Sequence, residues 1–143
     1  MAISYREETR EGRVLDCLTS GELRLIVSRR GAELVSLARR NTKDEWIGFL
    51  FRDDDLSRPA KGWANHATVM GYFLHRLKGE RSLYRGRTIA AGSHGFLRHK
   101  DWRPPIVDEK NASLTYQMTR DQFTETEYPL NLSLDLSYAI EGE

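Results

Sequence analysis

All four histidines of the 143-residue sequence, His66, His75, His94 and His99, fall between residues 63 and 102. The same stretch holds Trp63, Trp102, Tyr72, Phe73, Tyr84 and Phe96. Histidine is the side chain whose ordinary pKa lets it give and take protons near neutrality. Aromatic rings stack on the apolar C–H face of a pyranose, while Arg, His and amide groups address its hydroxyls. Donors interleaved with aromatic faces therefore suit a sugar. A metal is the rival reading, but separations of 9, 19 and 5 residues between the histidines match no HxH, HExxH or zinc-finger pattern. No serine elbow and no Gly-rich phosphate loop occur. The expectation is a site without metal or cofactor.

The elements that must position these residues read as β-strands. Leu130, Leu132, Leu134, Leu136, Tyr138 and Ile140 alternate with smaller or polar residues, the pattern of a half-buried strand. Leu114, Tyr116 and Met118 repeat it, as do Leu23, Leu25 and Val27. Ser20-Gly21, Arg30-Gly31, Arg85-Gly86, Asn111-Ala112 and Tyr128-Pro129 punctuate the runs as turns. Leu83 to Ile89 predicts a tight hairpin with positive φ at Gly86. Ala32 to Arg40 contains good helix formers, but it is short and follows a turn, so a strand is expected. Asp53 to Lys61 is polar and contains a proline, so a loop is expected. Residues 1–12 are expected to be irregular. The whole predicts one all-β domain over residues 1–143, an antiparallel β-sandwich.

A net charge of +1 provides no electrostatic footprint for nucleic acid or an anionic membrane. The charged start, MAISYREETREGR, lacks the apolar region of a signal peptide, and no run approaches the ~18 apolar residues of a membrane span. Cys17 is the single cysteine and sits in an apolar run, so a buried free thiol is expected. A cytoplasmic protein fits these features.

The motifs in this stretch and around it point further. His94-Gly95-Phe96-Leu97-Arg98 resembles the HGF-[AL]-R signature of aldose 1-epimerases. Phe73-Leu74-His75-Arg76-Leu77 followed by Tyr84-Arg85-Gly86-Arg87 is similar to that family's GRL and Y-x-G-K/R hairpin. Gly31 to Leu37, Glu45-Trp46-Ile47 and Asp121 to Leu130 resemble its GAEL-x-SL, EWI and D-x-x-T-x-x-x-YP[FL] segments, in the family's order. The resemblance runs from about Gly21 to Ile140 and departs at Tyr72, where the family has Pro, and at His75, where it has Gly.

The resemblance implies the galactose mutarotase-like supersandwich, of which this chain is the N-terminal portion. It implies an isomerase that interconverts the α and β anomers of a free hexose. Such a reaction needs a base at the anomeric hydroxyl and an acid at the ring oxygen. His94 is implied as catalytic and Arg76 as a forked donor to hydroxyls; the plainer alternatives are a turn-capping histidine and a surface arginine. His75 is a further candidate for the pocket. Trp63 and Trp102 are candidate stacking platforms or core residues, and Phe96 either touches substrate or packs the turn. The family's second histidine and its glutamate have no counterpart in these residues, so the site is expected to be incomplete. A non-catalytic carbohydrate-binding module on the same fold is the rival, and a truncated product with neither activity the third reading. The last strand is expected to leave an open edge that recruits a second copy.

Overall fold

The structure is a computed structural model and describes residues 2–56 and 65–141. Among the described residues, ten strands form three antiparallel sheets. Five of them, β1 (Ile3–Arg10), β2 (Arg13–Ser20), β3 (Leu23–Ser28), β4 (Glu33–Arg40) and β5 (Trp46–Gly48), lie side by side in chain order. The first links are short because their turns are right for hairpins. Glu11 and Gly12 both take positive φ, at 52° and 75°, which matches the twist of the strands they join. A bulge between Ile26 and Val27 shifts the β3–β4 register.

β6 (Arg81–Tyr84) and β7 (Arg87–Ala90) make the expected hairpin, with Arg85 at φ 48° and Gly86 at φ 77°. β8 (Ile106–Asp108), β9 (Ser113–Thr119) and β10 (Ser133–Ala139) make a three-stranded sheet in the order β10-β9-β8. Leu114, Tyr116 and Met118 of β9 are fully buried. They meet Leu18, Leu25 and Val27 from the five-stranded sheet in one core cluster. Two hydroxyls also cross between the sheets: Tyr116 Oη donates to Asp16 Oδ2 at 2.8 Å and Tyr138 Oη to the Ala32 carbonyl at 2.7 Å. The architecture is thus an all-β antiparallel sandwich, as the alternation predicts.

Asp16 is the polar centre of this sandwich. It is fully buried and accepts from Tyr5 Oη at 2.8 Å, Tyr116 Oη at 2.8 Å and Arg29 at 3.0 and 2.8 Å. A buried carboxylate is tolerated when its charge is paired and its lone pairs are filled. Cys17 is buried as a free thiol, and burial pushes its pKa up.

Two expectations need correction. Residues 3–10 are not irregular but form β1, paired along its length with β2. The charges that disguise it suit an edge strand, where they discourage foreign pairing. The last strand starts at Ser133 rather than Leu130. Its partner β9 turns after Thr119 into a 3₁₀ turn, Arg120–Gln122, so the ladder stops at the Ser133–Thr119 pair. Residues 57–61 of the expected loop lie outside the described residues.

Candidate functional site

The HGF turn is built by two segments that grip each other through backbone. The Gly71 N–H donates to the His94 carbonyl at 3.0 Å, and the Gly71 carbonyl accepts from Phe96 and Leu97 at 2.8 and 3.0 Å. The His94 N–H donates to the His75 carbonyl at 3.0 Å. Gly95 is required here. Its φ is +77°, and a Cβ would stand 2.0 Å from the Tyr72 carbonyl oxygen and 2.2 Å from that of Gly71. The motif's glycine is therefore what lets 71–76 and 93–97 close on each other.

His94, at φ 64°, turns its ring so that Nδ1 bonds the Leu74 carbonyl. A carbonyl only accepts, so Nδ1 is the donor in this bond and Nε2 is the ring nitrogen it leaves uncommitted. Arg76 is exposed and its Nε donates to Ser93 Oγ at 3.4 Å, next to His94 in the chain. Arg98 donates to the Ser93 carbonyl at 2.9 Å and to His99 Nε2 at 3.0 Å. Burial, then the Arg98 and Arg30 cations, hold the His99 pKa below its ordinary value. A neutral His99 can accept the Arg98 bond. His75 is exposed, and its carbonyl serves the turn.

Arg76 and His94 lie on adjoining segments, with Arg76 bonded to the residue before His94 in the chain. Ser93, Arg98 and the Leu74 carbonyl join them, and the sequence reading did not single these out. Ser93 had a signal, a small polar residue in a Gly-Ser-His-Gly turn; a backbone carbonyl has none. Two candidates are corrected. Trp102 is only 3% exposed, and its indole N–H donates to the Leu97 carbonyl at 3.2 Å, so its ring is a core wall and not a stacking platform. Phe96 is also buried and packs on Phe123 at 5.2 Å and Tyr72 at 6.2 Å, so it holds the turn rather than meeting a ligand. Trp63 lies outside the described residues.

Other aromatics stand by the site. Tyr72 stacks on Tyr128 at 4.7 Å, and Phe73 lies 6.3 Å from the same ring. An apolar groove of about 360 Å³ borders this segment, lined in part by Met70, Phe73, Leu74, Leu97, Leu134 and Leu136. Among the described residues, no group of three or more His, Cys, Asp or Glu is placed to hold a metal. No helix among them is long and apolar enough to cross a membrane.

The sandwich is similar to that of solved galactose mutarotase-related proteins. The structure is similar to a galactose mutarotase related enzyme from Lactobacillus acidophilus, with 25% identity and a TM-score of 0.71 over 87% of this chain and 38% of that one. A galactose mutarotase-like protein from Lactobacillus casei matches at 17% identity and TM-score 0.72, over 89% of this chain and 40% of that one. A protein from Synechocystis matches at 16% identity and TM-score 0.65, over 97% of this chain and 45% of that one. The chain spans about two fifths of the length of these structures. No protein-family model matches the sequence, and no curated protein does.

Proposed function

We propose that this chain supplies the His94–Arg76 wall of an aldose 1-epimerase-type site that binds a free hexose at its anomeric end. The observation that carries the reading is the orientation of His94. With Nδ1 committed to the Leu74 carbonyl, Nε2 is the ring atom left to exchange a proton with a sugar oxygen. Arg76 brings forked donors to the same place, suited to vicinal hydroxyls. Mutarotation needs a second proton-transfer group on the opposite side of the sugar. The described side-chain partners of His94 and Arg76 are the Leu74 carbonyl and the Ser93 hydroxyl, neither of them a carboxylate. That observation favours binding without full catalysis as the second reading for the 143-residue chain. No metal or cofactor enters either reading. A reducing cytoplasm, where a free thiol such as Cys17 persists, is the compartment we assign.

The test joins an NMR titration with α- and β-galactose and glucose to polarimetry of freshly dissolved α-anomer. Binding in the range of about 1–10 mM is expected. Arg76→Ala and His94→Ala should each weaken it severalfold. Little acceleration of mutarotation over buffer is expected from this chain. Acceleration lost in His94→Ala would establish the isomerase and remove the binding-only reading. Titration peaks unmoved by every sugar would reject both.

A further inference from the structure

The five-stranded sheet has a second buried face. Leu18, Leu25 and Val27 point into the core, so by alternation Cys17 and Ile26 point the other way. With Leu15 and Val35 they form a separate apolar cluster, and Leu56 completes it from outside the sheet. The chain leaves β5 at Phe49, whose N–H donates to the Leu37 carbonyl at 2.8 Å. Residues 50–56 then fold back through two tight turns, with the Asp53 N–H on the Leu50 carbonyl at 3.1 Å and the Asp55 N–H on the Arg52 carbonyl at 3.0 Å. Three side chains hold this segment down. Arg24 Nη2 donates to Asp54 Oδ2 at 3.0 Å, Arg10 Nη1 donates to the Asp54 carbonyl at 3.2 Å, and His66 Nε2 meets the Arg52 carbonyl at 2.7 Å. Other features oppose them. Arg52 and Asp54 both sit at φ 60°, in the left-handed region. Arg24 Nε and Asp53 Oδ1 are buried with no hydrogen-bond partner among the described residues, and water satisfies such atoms once they are uncovered. Phe51 faces solvent, so Leu56 is the one fully buried apolar side chain of the segment.

We propose that residues 50–56 are a strap that opens and closes over an intact sandwich, with Asp54 and its two arginines as the clasp. The described backbone bonds of the strap lie within the strap itself, so lifting it breaks no strand pairing. The loss is the burial of Leu56 and a few polar contacts, partly offset by relief of the two left-handed residues and by water on the two unpartnered atoms. Local opening of this kind draws on segments with few buried apolar contacts. The clasp is ionic and part-exposed, with Asp54 39% accessible, so salt and loss of the Asp54 charge both shift the strap toward open. Opening bares the cluster beneath. Cys17 belongs to that cluster and is 1% exposed when the strap is down. It is also the single cysteine of the sequence, so its reaction with a thiol reagent reports on this position alone. The inference does not rest on the sugar reading.

The test follows the reaction of Cys17 with an excess of a neutral dipyridyl disulfide in the 143-residue chain. Where the rate is linear in reagent, its ratio to the rate of the urea-unfolded chain gives the open fraction. Below the unfolding transition the rate should change little with urea, because strap opening exposes little surface. Asp54→Asn should raise it about tenfold, through loss of a charge-assisted bond. About 0.5 M sodium chloride should raise the rate of the unaltered chain severalfold and that of Asp54→Asn much less. Glu7→Ala removes an ion pair on the opposite face of the sheet and should leave the rate unchanged. Far-UV circular dichroism checks that both variants keep their strands. A rate that climbs with urea as steeply as global unfolding overturns the proposal, since Cys17 is then bared only when the sandwich comes apart. A shallow rate indifferent to Asp54→Asn and to salt overturns it too, since the clasp then governs nothing.

Discussion

Asp16 shows how one residue can hold two sheets to a single arrangement. Its carboxylate has no exposure and is met by two phenols and a guanidinium. Arg29 also pairs with Glu7, which is 53% exposed. These neighbours hold the Arg29 pKa above its ordinary range, the Asp16 hydrogen bond first, against the opposing effect of burial. Asp16→Ala should cost about 3–5 kcal/mol in urea unfolding, since it strands a desolvated arginine and two phenols. Glu7→Ala should cost less than about 1 kcal/mol, the worth of an exposed pair. Equal losses in the two variants would mean that burial does not set the strength of this cluster. In the sequence Asp16 is one polar letter in the run Val14 to Leu18. Nothing near it marks it, because its partners stand at positions 5, 29 and 116. Trp102 and Phe96 stayed open between ligand and core in the sequence for a related reason: an aromatic next to polar donors looks the same whether its ring faces a ligand or the core.

At the scale of elements, the local signals were legible. Alternation located β3, β9 and β10, overrunning β10 at its start, and Arg85-Gly86 located the β6–β7 hairpin. Ala32 to Arg40 contains good helix formers yet forms β4 from Glu33, because pairing with β3 outweighs propensity. β1 was missed because its outward charges mask a short apolar alternation of Ile3 and Tyr5. The HGF turn was legible as a motif, but its mechanical reason lies in a segment some twenty residues earlier. Gly95→Ala tests that reason. The added methyl meets two backbone carbonyls and also requires a left-handed residue, a strain of about 1–2 kcal/mol before any clash. The variant should lose at least about 2 kcal/mol of stability and, if it folds, shift the amide signals of Gly71, Tyr72 and His94 most. Gly86→Ala makes the control. Gly86 also has positive φ, but a Cβ there meets nothing within 4 Å, so its cost should stay near the strain alone.

For the molecule as a whole, tyrosines join the two layers, and pH reaches them. Burial, followed by the Glu33 charge, pushes the Tyr138 pKa up to about 12. Tyr116 is raised too, by burial and then by Asp16. A folded-state pKa above the unfolded value of ~10 stabilises fully below pH ~10 and loses that contribution as pH rises through ~12, at about 1.4 kcal/mol per pH unit for each such group. The urea midpoint should therefore fall between about pH 10 and 12, and Tyr138→Phe should fall less steeply over the same range. The same slope in the variant would remove Tyr138 from the account. These two phenols also bear on the order of assembly. They join residues 100 and 106 positions apart, whereas β1 to β5 are linked by short turns between chain neighbours. Closing a long loop carries an entropy that a hairpin avoids, so the five-strand meander is the part that can form early. Until Tyr116 arrives, Asp16 remains hydrated and the meander has no cover on its inner face. The last sheet thus acts as a latch whose closing dries a charge already in place.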